Sequence, residues 1–97
     1  MAYKIIWTDE ALRNLDEILD YLKLEWTDRE ILQFKRKLSD QLEIIKKYPF
    51  IFPKSDRKPR LRKAVLSKQT IIFYEVQGFQ LNLVYLFQTK MNPKKIK

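Results

Sequence analysis

The hydrophobic pattern changes period at Pro49, and this limits the fold more than any other feature of the chain. Before Pro49, apolar residues recur at three- and four-residue steps; beyond residue 60 they alternate. A chain written this way predicts helices first and strands afterwards.

In the first part, Tyr3, Ile5 and Trp7 alternate with Ala2, Lys4 and Ile6, which predicts a short opening strand. Thr8 stands as a helix N-cap, with Asp9 and Glu10 placing negative charge in the first turn. Ala11, Leu15, Ile18 and Leu22, flanked by Leu12 and Leu19, make one apolar stripe over about residues 9–24. Thr27 and Glu30 have the spacing of a capping box, with Trp26 and Ile31 placed as a hydrophobic staple. A second stripe, Ile31, Phe34, Leu38, Leu42 and Ile45, then runs to Lys46 and Lys47, and Pro49 forbids continuation. Helices so closely linked are expected to form an antiparallel hairpin.

Residues 48–60, YPFIFPKSDRKPR, hold three prolines and no clear period. They exceed the ~4 to 6 residues of an ordinary connection. Phe50, Ile51 and Phe52 are expected to plug the edge of the core. Three strands follow at about 61–66, 69–76 and 79–88, the last two joined around Gly78, the only glycine. On the last strand, strict alternation directs Phe79, Leu81, Leu83, Tyr85 and Phe87 to one face and Val84 and Leu86 to the other. The expected class is α+β, in the order β-α-α-β-β-β, with a helical hairpin on one face of a small, mainly antiparallel sheet. One hairpin covers one face, so the other is expected to lie open to a partner or to a second copy of the chain.

At 97 residues, one domain spanning 1–97 is expected. The longest unbroken apolar run, Leu83 to Phe87, is far short of the ~18 residues of a membrane span. No secretory signal is visible at the N-terminus, so a cytoplasmic protein is expected. Cysteine and histidine are absent, which removes disulfides, the preferred ligands of zinc and every nucleophile activated by histidine. No metal or cofactor is expected.

The charge is lopsided. Residues 1–45 carry 7 Lys/Arg against 10 Asp/Glu, whereas residues 46–97 carry 13 against 2. Such asymmetry implies an anionic partner, nucleic acid or an acidic protein segment. Its densest stretch is RKPRLRK at 57–63, with five cations in seven positions.

The opening YKIIWTDEALRNLDEILDYL, the helix-closing Pro49, LRK at 61–63, IIFYEV at 71–76 and the ending FQTKMNPKK, taken in order, resemble the RelE/ParE superfamily of bacterial type II toxin-antitoxin toxins. The similarity covers nearly the whole chain and is greatest to the ParE-like, plasmid-stabilisation branch. It implies a small basic toxin neutralised by an antitoxin whose acidic or amphipathic C-terminal region wraps around it. Val84, Leu86 and Arg62 are the expected antitoxin contacts. ParE-like members poison DNA gyrase; RelE-like members cut mRNA on the ribosome without a metal.

The gyrase reading requires a positive surface, for which Arg57, Lys58, Arg60, Arg62, Lys63, Lys90, Lys94 and Lys95 are the candidates. Arg62 and Lys63, adjacent in a strand, are expected to face opposite ways. The nuclease reading requires a group to activate a 2′-hydroxyl, cations for the phosphate and an acid for the leaving oxygen. Its candidates are Lys54, Arg60, Arg62, Tyr74 and Lys90, with Tyr85 a further phenol. Against it, the tail TKMNPKKIK lacks the tyrosine of RelE-like toxins, and Lys90 replaces the family's usual arginine, losing a bidentate grip on phosphate. A non-enzymatic gyrase poison is therefore preferred. A third reading, a nucleic-acid module stacking bases on sheet aromatics, lacks an RNP-like word. Trp7 and Trp26 fit core and staple roles better.

Overall fold

The structure, a computed structural model, describes residues 3–89. Lys4–Trp7 form β1, Asp9–Glu25 α1, Asp28–Lys47 α2, Arg62–Val65 β2, Thr70–Gln77 β3 and Gln80–Gln88 β4. The expected order and class are found. Each helix starts where its cap is written: Thr8 Oγ1 accepts from the Ala11 amide at 3.1 Å, and Thr27 and Glu30 complete a reciprocal capping box. Such a cap contributes about 0.5 to 2 kcal/mol.

The four strands form one sheet in the order β1-β4-β3-β2. β1 lies parallel to β4, and the β2-β3-β4 meander is antiparallel. Gly78, at φ +62, occupies the left-handed position of the β3-β4 turn, where a side chain would strain the backbone. Ala11, Ile18 and Leu22 of α1 and Ile31, Phe34, Leu38 and Ile45 of α2 enter a single core with Ala64, Ile72, Tyr74, Leu81 and Leu83 of the sheet. Leu12 is exposed, off the predicted stripe. Among the described residues no helix is long and apolar enough to cross a membrane.

Strict alternation fails on β4. Tyr74 pairs with Leu83 and Phe73 with Tyr85, so Val84 is an extra residue, a β-bulge that reverses the phase of everything after it. Leu86, expected on the open face, is therefore a core residue at 5% exposure, while Tyr85 and Phe87 turn to the open face. The N-cap of α1 and Asn14 within the helix supply polar groups to the bulge. The Thr8 hydroxyl donates toward the carbonyls of Leu83 (2.7 Å) and Val84 (3.1 Å), and Asn14 Oδ1 accepts the Leu86 amide at 3.0 Å.

The expected plug is also different. Only Phe52 packs on the core, edge-on to Tyr74 with ring centroids 6.4 Å apart; Phe50 and Ile51 are exposed. A tight turn, in which Tyr48 accepts from the Ile51 amide at 3.2 Å, follows directly on the helix end and carries both side chains outward.

Candidate functional site

The long segment before β2 is an irregular hairpin lying along the sheet edge. Pro53 accepts from the Lys63 amide (2.9 Å), Lys54 forms an antiparallel bridge with Arg62, and Leu61 accepts from the Ser55 amide (2.8 Å). At its tip Lys58 accepts from the Leu61 amide (2.8 Å) and the Ser55 hydroxyl accepts from the Lys58 amide (3.4 Å). These bonds account for its length: the loop satisfies part of an edge strand and still projects residues 56–60, all exposed, into solvent.

Some of the cations predicted from sequence are gathered and some are not. Lys58 Nζ lies 5.9 Å above the Tyr85 ring, and Arg60 Nε lies 3.8 Å from Glu75 Oε2. Both therefore reach the face of the sheet opposite the helices. Lys63, in register with Phe73 and through it with Tyr85, shares that face. Arg57 is exposed at the loop tip and Lys54 is exposed at its base. Arg62 alternates to the other side, as its sequence neighbour requires. Lys90, Lys94 and Lys95 lie outside the described residues.

Arg62 and Tyr74 occupy positions quite unlike those of a phosphate clamp and a general base. Arg62 Nη1 donates to the Phe52 carbonyl (2.8 Å) and the Phe50 carbonyl (3.4 Å), and the guanidinium sits 5.1 Å from the Phe50 ring centre. The Tyr74 side chain is fully buried and donates its hydroxyl to the Pro49 carbonyl at 2.7 Å. Burial pushes its pKa up to about 12, although nearby Arg62 acts in the opposite direction. A buried, hydrogen-bonded phenol of this kind has no access to a ribose hydroxyl, and although Lys54 bridges to Arg62 and Arg62 pairs with Tyr74, Arg60 reaches the opposite face, so the nuclease set of Lys54, Arg60, Arg62 and Tyr74 does not converge on one exposed point. Among the described residues no group of acidic side chains is arranged to hold a metal.

The open face has an apolar centre whose membership sequence reasoning missed. Ile71 pairs with Phe87, Phe73 with Tyr85 and Val65 with Ile71, so these residues form two cross-strand rows. The Phe73 and Tyr85 rings stack at 4.6 Å, and Val65 and Phe87 remain 54% and 48% exposed. Lys58, Arg60 and Lys63 border this centre. Of the expected antitoxin contacts, Leu86 is in the core, Arg62 turns away, and Val84 sits at the bulge, half-buried. The available signal was the unbroken apolar run from Leu83 to Phe87, a pattern in which a single extra residue exchanges the two faces.

A sequence profile of the family described as ParE toxin of type II toxin-antitoxin system, parDE, matches residues 5–92. No curated protein matches the chain. In fold it is similar to a chain of the chromosomal ParDE system of P. aeruginosa, with TM-score 0.77 and 16% identity over 91% of this chain and 97% of that one. It is similar to a chain of the RelBE2 toxin-antitoxin complex of Mycobacterium tuberculosis, with TM-score 0.62 and 11% identity over 91% and 99%. A mutant of E. coli toxin RelE in the free state matches with TM-score 0.54 and 19% identity over 99% and 93%. At these identities the likeness is one of fold.

Proposed function

The chain belongs to the family of ParE toxins of type II toxin-antitoxin systems, and from that premise we propose that it stops growth by binding DNA gyrase and is neutralised by an antitoxin covering the open sheet face. The carrying observation is the face itself, in which stacked Phe73 and Tyr85, with Val65, Ile71 and Phe87, are bordered by Lys58, Arg60 and Lys63. An apolar strip edged with cations is complementary to a segment carrying apolar and acidic residues in turn. Two copies of this chain placed face to face would oppose like charges, which favours an antitoxin over a homodimer as the occupant. The solved relatives include a toxin-antitoxin complex, which supports an antitoxin partner here too.

Binding to gyrase needs no proton transfer within the toxin, which suits a chain whose Tyr74 is sequestered. The nuclease reading rests on one specific feature, the Tyr85 phenol, which shares the face with Lys58. Induced expression in bacteria with and without the antitoxin tests both. Gyrase poisoning gives DNA damage while translation continues, and Tyr85→Phe retains growth inhibition. Immediate loss of translation with cleaved mRNA, abolished by Tyr85→Phe, would replace the gyrase reading with the ribosomal one.

A further inference from the structure

We infer that Arg62 is a positioning residue: it clasps the 50–52 turn and so sets the cation-bearing loop against the sheet, without itself touching the anionic target. The inference rests on the proposal that this loop meets the target, but the clasp is a property of the isolated chain. Three features carry it. Nη1 of Arg62 bonds the Phe52 carbonyl at 2.8 Å and reaches the Phe50 carbonyl at 3.4 Å. Its guanidinium carbon lies over the Phe50 ring, 5.1 Å from the centre. Its side chain alternates away from Lys63, and Lys63 shares the open face with Lys58 and Arg60.

The geometry explains an otherwise unexplained exposure. Phe50 is 57% exposed and contributes little to the core, yet one face of its ring is covered by the guanidinium. A planar, delocalised cation can stack on a ring and donate to carbonyls at once; the ammonium of lysine, a compact and strongly hydrated charge, does this poorly. From Phe52 the chain runs directly into Pro53, whose carbonyl accepts the Lys63 amide, and then to Ser55, whose amide bonds Leu61. Releasing the 50–52 turn therefore frees one leg of the hairpin that presents Arg57, Lys58 and Arg60.

Two substitutions separate positioning from contact. Arg62→Lys keeps the charge and loses the planar fork; Phe50→Ala keeps every charge and removes the stacking surface without opening the core. If Arg62 positions the loop, both accelerate hydrogen exchange of the Ser55 and Lys63 amides, Arg62→Lys by about tenfold or more for loss of a bond to a charged group and Phe50→Ala by less, since it keeps both carbonyls and loses only the ring contact. The core amide of Ile72 stays as in the wild type. Both also weaken growth inhibition. Unchanged protection of Ser55 and Lys63 in Arg62→Lys overturns the clasp. So does full toxicity in Phe50→Ala beside lost toxicity in Arg62→Gln, since charge contact alone predicts that pair. Loss of toxicity in Phe50→Ala with an undisturbed loop would instead make Phe50 the contact and equally overturn the inference. Should the wild type prove harmless to cells, the exchange measurements still decide the clasp while the toxin reading fails separately.

Discussion

The Tyr74 hydroxyl donates a 2.7 Å hydrogen bond to the carbonyl of Pro49, joining the middle of β3 to the residue where the helical half of the chain stops. Tyr74→Phe keeps the ring against Phe52 and leaves that carbonyl without its partner. Below pH 9 the variant is expected to lose about 1 to 3 kcal/mol, measured by urea unfolding.

The same substitution has an opposite signature in alkali. The Tyr74 pKa is raised from 10.0 to about 12 in the folded chain, so below pH 10 both states hold the proton and the native contribution is complete. As pH rises from 10 towards 12, the unfolded chain loses its proton first and stability falls. A shift of this size corresponds to roughly 2 to 3 kcal/mol. Tyr74→Phe lacks this loss, so its deficit relative to the wild type narrows over that interval. Every other group is common to both proteins and cancels in the difference. A deficit constant from pH 8 to pH 12 would contradict the assignment.

The bulge at Val84 makes neighbouring residues respond oppositely. Leu86→Ala opens a cavity in the core and is expected to cost about 2 to 5 kcal/mol. Phe87→Ser, on the open face, should cost only about 1 kcal/mol or less, for the cross-strand contact with Ile71. It should still weaken antitoxin binding in titration calorimetry. Under unbroken alternation the two costs would be reversed.

This contrast shows what was legible in the sequence. Helix starts were readable because Thr8, Thr27 and Glu30 act over three residues, and their partners are fixed by local geometry. The order of elements along the chain and the meander of the last three strands followed from period and from Gly78, whereas the parallel place of β1 beside β4 was not read. Sheet phase beyond Val84 was not readable, because it depends on Thr8 and Asn14 meeting β4 across more than 70 residues of sequence. The roles of the cations were hidden for a related reason. In RKPRLRK all five look alike, but Arg62 is fastened to Phe52 while Lys58 lies over Tyr85, and only the hairpin of residues 53–63 separates them.

The two threonine caps are similar in sequence and differ in load. Thr27 makes its capping box at an exposed corner, so Thr27→Ala should cost about 1 kcal/mol. Thr8 caps α1 and also donates to β4 carbonyls beside the bulge. Thr8→Ala should therefore cost about 1 kcal/mol more, since the Leu83 carbonyl loses its 2.7 Å hydroxyl donor and keeps only the longer bond from the residue-8 amide at 3.3 Å. Thermal unfolding of the two variants side by side checks the order, and equal costs would mean that the Thr8 contact with Leu83 contributes nothing.

Glu75 is one of only two acids in residues 46–97, and its carboxylate lies 3.8 Å from Arg60 on the open face. In the wild type it offsets one of the cations that border the apolar strip. Glu75→Gln removes that offset while keeping the size of the side chain. Arg60 is largely exposed and Glu75 partly so, so their coupling is about 1 kcal/mol or less, and affinity for a polyanion should rise by no more than about fivefold. The gain should be greatest at low salt and shrink as ionic strength rises, because interactions between exposed charges are screened over ~10 Å at 0.1 M. Heparin-column retention or fluorescence anisotropy with a short DNA duplex reads the effect directly. Weaker binding by Glu75→Gln would show that Glu75 orients Arg60 for the anion instead of competing with it.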